Sequence, residues 1–156
     1  MTKPNLFKPI LIGGLIAGAF DITYACVFFG IRNHVRPTRI LQSVARGALG
    51  QQAFQGGLKT AGLGLFFHFL IALTAAAVYV FASRVLRFMI THAVVCGILY
   101  GACVYFFMYG IVMRFSAIHS TTLPWVYPWA VLIPNLLIHM FGIGLPIALV
   151  ARRYSK

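Results

Sequence analysis

The apolar residues of this chain gather into four long runs, at about 10–31, 60–82, 88–113 and 129–151. Crossing a hydrocarbon core of about 30 Å takes roughly 20 predominantly apolar residues, and each run meets that length. Each is expected to be helical, because an open strand leaves its backbone groups unsatisfied in lipid. The pattern changes in the first loop. In "TRILQSVARGALGQQAF", about 38–54, Ile40, Leu41, Val44, Ala45, Ala48 and Leu49 recur at helical spacing, with Arg39, Gln42, Ser43 and Arg46 opposite. This spacing predicts a short amphipathic helix. One reading lays its apolar face in the headgroup region with Arg39 and Arg46 on lipid phosphates. The other makes it a re-entrant or gating segment, with Gly47, Gly50, Gly56 and Gly57 as hinges. The fold class expected is an all-α integral membrane protein. It is a four-transmembrane-helix bundle with a short amphipathic helix in the first loop, forming one domain over residues 1–156.

Composition agrees with that class and raises one question. Of 156 residues, 61% are hydrophobic and 9% charged; Lys and Arg number 13 against a single acid, Asp21, for a net charge of +12. A soluble domain carries about 25% charged residues. The basic residues mostly flank the apolar runs instead of forming one basic domain, which points to anionic lipid headgroups as partner and away from nucleic acid. Lys3 and Lys8 precede the first run as in a signal peptide. That run is nevertheless long, holds Asp21 and lacks a small-residue cleavage site, so it is expected to be retained as a span. Thr23 and Tyr24 spoil a lipidation box before Cys26, which reads as an ordinary membrane cysteine. Lys and Arg are nearly balanced between the two sides. The uncharged, aromatic third loop "SAIHSTTLPWVYPW" is assigned to the outer side, which puts both termini in the cytoplasm.

An acid in mid-span costs about 2.5 to 3.5 kcal/mol on insertion scales, and such residues are generally paired, neutralised or functional. Gly14, Gly18, Asp21 and Ala25 share one face of the first span. Gly14 and Gly18 form a GxxxG pair, as do Gly97 and Gly101 in the third span, so helix-packing contacts are expected at both. Counting along the helices at 1.5 Å per residue brings His68 of the second span and His139 of the fourth to the layer of Asp21. Tyr100 of the third span falls in the same layer, and Asn135 lies on the face of His139.

A midplane polar cluster of Asp21, His68, Tyr100, Asn135 and His139 admits several roles. It can be a buried hydrogen-bonded network that fixes the bundle. It can be a proton relay or solute site, with Pro134 and Pro146 locally breaking the last helix to expose backbone groups. Four helices leave little room for a conduit, so a transporter of this size is expected to oligomerise. His68 and His139 at equal depth also meet the geometric requirement for axial haem ligation, although no CxxCH attachment motif is present. His92, Cys96 and Cys103 share a face with Tyr100, but without a CxxC the cysteines read as small apolar packing residues. No Walker loop, dinucleotide fingerprint, HExxH or GxSxG appears. One acid excludes paired carboxylate catalysis and multi-carboxylate cation sites within one chain. The sequence therefore leans away from an enzyme, and no metal site or resident cofactor other than the haem alternative is expected.

The segments "DITYACVFFGIR", "RILQSVARGALGQQAFQGGLKTAGLGLFFHFLIAL", "GILYGACVYFFM" and "LLIHMFGIGLPIALVARR" together cover most of the chain. With them it resembles a group of small four-span bacterial inner-membrane proteins, broadly YagU-like. The resemblance implies the bacterial cytoplasmic membrane and a multi-pass topology; it lends no activity, cofactor or site residue. Among functions, a structural or accessory membrane subunit ranks first, in a homo-oligomer or with another membrane protein. A small oligomeric transporter or proton-conducting protein using Asp21, His68 and His139 is the alternative, and a haem-binding electron carrier comes third.

Overall fold

The structure of the protein, a computed structural model, describes residues 6–155, and every regular element among them is a helix. Lys3 and Lys156 lie outside the described residues. In chain order the helices are α1 (Phe7–Asn33), α2 (Pro37–Leu49), α3 (Gly57–Val85), α4 (Phe88–Thr91), α5 (Ala93–Phe115) and α6 (Trp129–Arg153). Four of them, α1, α3, α5 and α6, are long and apolar enough to cross a membrane. The 27 residues of α1 reach about 40 Å at 1.5 Å per residue. That length exceeds the roughly 30 Å of a hydrocarbon core.

The third apolar run is the one the backbone divides. His92, at φ −105° and ψ 39°, leaves helical geometry, so Phe88–Thr91 forms a separate short helix and the span begins at Ala93. The Tyr79 hydroxyl donates to the Met89 carbonyl at 3.0 Å and holds α4 against α3. Nor does the last span break at its prolines. Pro134 stays inside helix, and Ile138–Gly144 widens to a π-helical segment in which the Leu145 N–H reaches the Met140 carbonyl. Pro146 lacks an N–H, and its ring crowds the carbonyl four residues back, so a wider turn is how the helix accommodates it. A second π-helical segment, Met108–Val112, lies in α5.

The spans pack α3 on α1, α1 on α6, and α6 on α5. Glycine carries the closest approaches. A Cβ on Gly14 would stand 2.8 Å from the Leu73 Cα, and one on Gly18 2.8 Å from the Phe69 ring, so the first GxxxG pair faces α3. A Cβ on Gly97 would stand 2.7 Å from Ala148 and 3.0 Å from the Leu145 Cα, while one on Gly101 would collide with the His139 carbonyl. The second pair therefore seats α5 on the π-helical segment of α6. Between these seams Ala17, Ala76, Tyr79, Ile143 and Ile147 form the core.

The first loop holds the amphipathic helix α2, followed by a 3₁₀ turn at Gly50–Phe54. Pro37 starts it, and Gly50 at φ 60° stops it in a conformation that only glycine adopts without strain. It rests on α3 through one edge of its apolar face together with Gln42, expected on the polar side: Ile40, Gln42 and Ala45 are buried, and a Cβ on Gly64 would strike the Leu41 backbone. The Gln42 amide donates to the Gly57 carbonyl at 2.9 Å and to the Thr60 hydroxyl at 3.3 Å. At its other end the Gly47 carbonyl accepts from the Ala117 N–H at 2.9 Å, tying α2 to the third loop. The headgroup reading of α2 left its apolar face to lipid. Here Leu41, Gln42 and Ala45 pack on α3, where Gly64 lets the two backbones meet, while Ala48 and Leu49 stay exposed. Substituting Gly64→Val is expected to undock α2, raising amide hydrogen exchange over residues 38–49 while leaving exchange in α5 unchanged.

Candidate functional site

Beneath α2 and the third loop a cleft of about 620 Å³ enters the bundle, with lining residues from all four spans. At its roof lie Arg39, Ser43 and Gly47 of α2, with Ser116 and Ile118 of the third loop. Asp21, His68, Asn135 and His139, the polar residues counted to mid-span, also line it. Their convergence follows from the packing already described. Gly18 brings α3 close enough for the His68 Nε2–H to donate to the Gly18 carbonyl at 2.9 Å. The His139 Nδ1–H donates to the Asn135 carbonyl at 2.7 Å, and the Asn135 amide donates to the Val131 carbonyl at 2.9 Å. A carbonyl only accepts, so each neutral imidazole carries its proton on the bonded nitrogen. His68 Nδ1 and His139 Nε2 remain as acceptors. Those two nitrogens are also what a haem would have to use.

Asp21 is half-buried and makes no hydrogen bond or ion pair among the described residues. It lies within electrostatic reach of Tyr24, Tyr109 and His139. An acid on a helix apolar enough to cross a membrane is generally paired, neutralised or functional. Tyr100 takes a different place from the rest of the expected cluster. Its hydroxyl donates to the Ala75 carbonyl at 2.7 Å, and its ring meets Tyr79 edge-on at 5.1 Å, so it bridges α5 to α3 outside the cleft lining.

No protein-family model matches the chain, and no curated protein and no solved structure matches it either. The reading of the site therefore stands on its geometry.

Several tyrosines complete the site, and sequence reasoning passed over them. Tyr24, Tyr109 and Tyr127 line the cleft, while Tyr105 is buried behind it. Tyr109 sits on the π-helical segment of α5 and His139 on that of α6, with ring centroids 6.2 Å apart. Tyr105 lies 5.4 Å from His139 and 4.7 Å from Tyr109, and Tyr127 is 5.7 Å from Tyr109. The Tyr24 hydroxyl is shielded from solvent and has no hydrogen-bond partner among the described residues. For Tyr24 a signal was available, since it follows Asp21 by three residues on one helix face.

The remaining candidates lie away from this cluster. Arg39 is exposed, with its guanidinium 3.8 Å above the Phe54 ring. Arg46 is half-buried, and its Nε has no hydrogen-bond partner among the described residues. His92 bonds Thr91 at 3.1 Å at the α4–α5 junction, and Cys103 is exposed. Among the described residues no group of three His, Cys, Asp or Glu side chains is placed to hold a metal ion.

Proposed function

We propose that this protein is a small membrane transporter in which Asp21, together with His68 and His139, forms a proton-linked solute site. The observation that carries the reading is that Asp21, in a cleft that also holds two imidazoles with one unbonded nitrogen each, has no hydrogen bond or ion pair among the described residues. Had the cluster served only to fix the bundle, its acid would be spent on an interhelical bond. Asp21 is instead left for a proton or a ligand, and the helix contacts are carried by glycine seams at Gly14, Gly18, Gly97 and Gly101. The two π-helical segments add to this, since such segments frequently occur at functional sites.

In this reading the protein resides in the bacterial cytoplasmic membrane with both termini inside, so α2 and the third loop roof the cleft on the outer face. Anionic headgroups meet the exposed Arg39 and the cationic flanks, and a homo-oligomer is the working unit. The test is proton flux in proteoliposomes with a trapped pH-sensitive dye. An imposed pH gradient is expected to collapse faster with the protein than in protein-free vesicles of the same lipid. Equal rates, with or without added solutes, overturn the reading.

A further inference from the structure

We infer that the cleft takes an organic cation, an ammonium or other onium centre on an apolar body, held by Asp21 and the rings of Tyr24, Tyr109 and Tyr127. The inference rests on the transport reading above and names the substrate class of that site. Charge comes first. Asp21 is the one acid in the chain and has no ion pair among the described residues, so the complement it lacks is a positive charge. An anion would meet the like charge of that carboxylate.

The aromatic walls decide what kind of cation fits. Tyrosine faces carry negative potential and attract a cation within about 6 Å, most strongly where water is excluded, and clustered rings are the usual receptor for quaternary ammonium groups. Tyr109 and Tyr127 stand edge to face at 5.7 Å, and Tyr24 rises one helical turn beyond Asp21. The Tyr24 hydroxyl is shielded from solvent and has no hydrogen-bond partner among the described residues. Arg39 is the other charged residue of the lining, and its guanidinium is engaged on the Phe54 ring at the roof.

Size and polarity separate an organic cation from a metal ion. A hard metal cation requires several oxygen ligands, commonly carboxylates, and the cleft offers one acid. Its volume of about 620 Å³ belongs to the range of small-molecule sites. Ile22, Ile71 and Val104 give it apolar walls suited to a hydrocarbon body.

The test is equilibrium binding to the full chain in mild detergent, using benzyltrimethylammonium and tetraphenylphosphonium as probes. Neopentylbenzene, in which carbon replaces the ammonium nitrogen, serves as the neutral isostere. Saturable binding of at least one cation is expected, at least tenfold tighter than the isostere. It should weaken at least tenfold in Asp21→Asn and in Tyr109→Leu, while Tyr109→Phe, which keeps the ring, stays close to wild type. Helical circular dichroism and thermal unfolding on the same samples establish that each variant is folded; should Tyr109→Leu not fold, Tyr24→Leu takes its place. Equal affinity for cation and isostere, or cation binding undiminished in Asp21→Asn, overturns the inference. A wild-type protein that dissipates a pH gradient but binds neither cation leaves the transport reading standing and removes the substrate class. Absence of both flux and binding removes both.

Discussion

Proteoliposomes carrying Asp21→Asn are expected to lose proton flux to the level of protein-free vesicles, while the variant remains folded and at least as stable as wild type. The two halves of this result share one cause. Asp21 has no hydrogen bond or ion pair among the described residues, so the amide removes no contact on which the bundle depends. Replacing the carboxylate also relieves part of an insertion cost of about 2.5 to 3.5 kcal/mol, so thermal unfolding in detergent should show an unchanged or raised midpoint. The amide has no titrating proton and no charge, so a relay or cation site built on the carboxylate cannot operate. Residues retained at a stability cost are a mark of function. Wild-type flux in the variant would remove Asp21 from the mechanism. A destabilisation beyond about 1 kcal/mol, the worth of one ordinary hydrogen bond, would assign Asp21 a structural contact instead.

The second large effect is expected at the α5–α6 seam. Gly101→Ala should destabilise the protein by about 3 kcal/mol, near the upper end of the usual cost of overpacking, and should lower flux in whatever fraction stays folded. The new methyl group would meet the His139 carbonyl and stand 2.6 Å from the Met140 Cα. Both are backbone atoms and cannot rotate away as a side chain would. They also belong to the turn that carries His139, so relieving the clash displaces the imidazole that faces Tyr105 and Tyr109. Gly62 is the control. A Cβ there meets nothing within 4 Å, so Gly62→Ala should leave flux intact and gain up to about 1 kcal/mol of helix propensity. Equal stabilities for the two variants, measured by unfolding in mixed micelles, would contradict the close packing at Gly101.

Particular residues show what could be read before the structure. Residue counting along straight helices set Asp21, His68 and His139 in one layer, with Asn135 on the face of His139, and all four line the cleft. Tyr100 shared their depth but not their direction, since depth carries no information about which way a side chain turns. Tyr109 was missed for the same reason, compounded by its place on a π-helical segment, where 3.6-residue counting no longer assigns a face. Helix α2 was legible as amphipathic. That one edge of its apolar face rests on α3 depended on Gly64, a residue in another apolar run that carries no visible relation to Leu41.

Four membrane-length helices, and an acid in the middle of the first, were legible from the amino-acid pattern alone. Length, hydrophobicity and backbone hydrogen bonding set these locally, one segment at a time. Tertiary structure alone decided which faces meet and what the acid confronts. Spans apolar on every side carry no stripe to mark a partner, because lipid solvates any apolar face as well as another helix does. Rotation was settled instead by where glycine lets backbones touch and where Pro146 widens α6, and those two effects bring Tyr109 and His139 together beside Asp21.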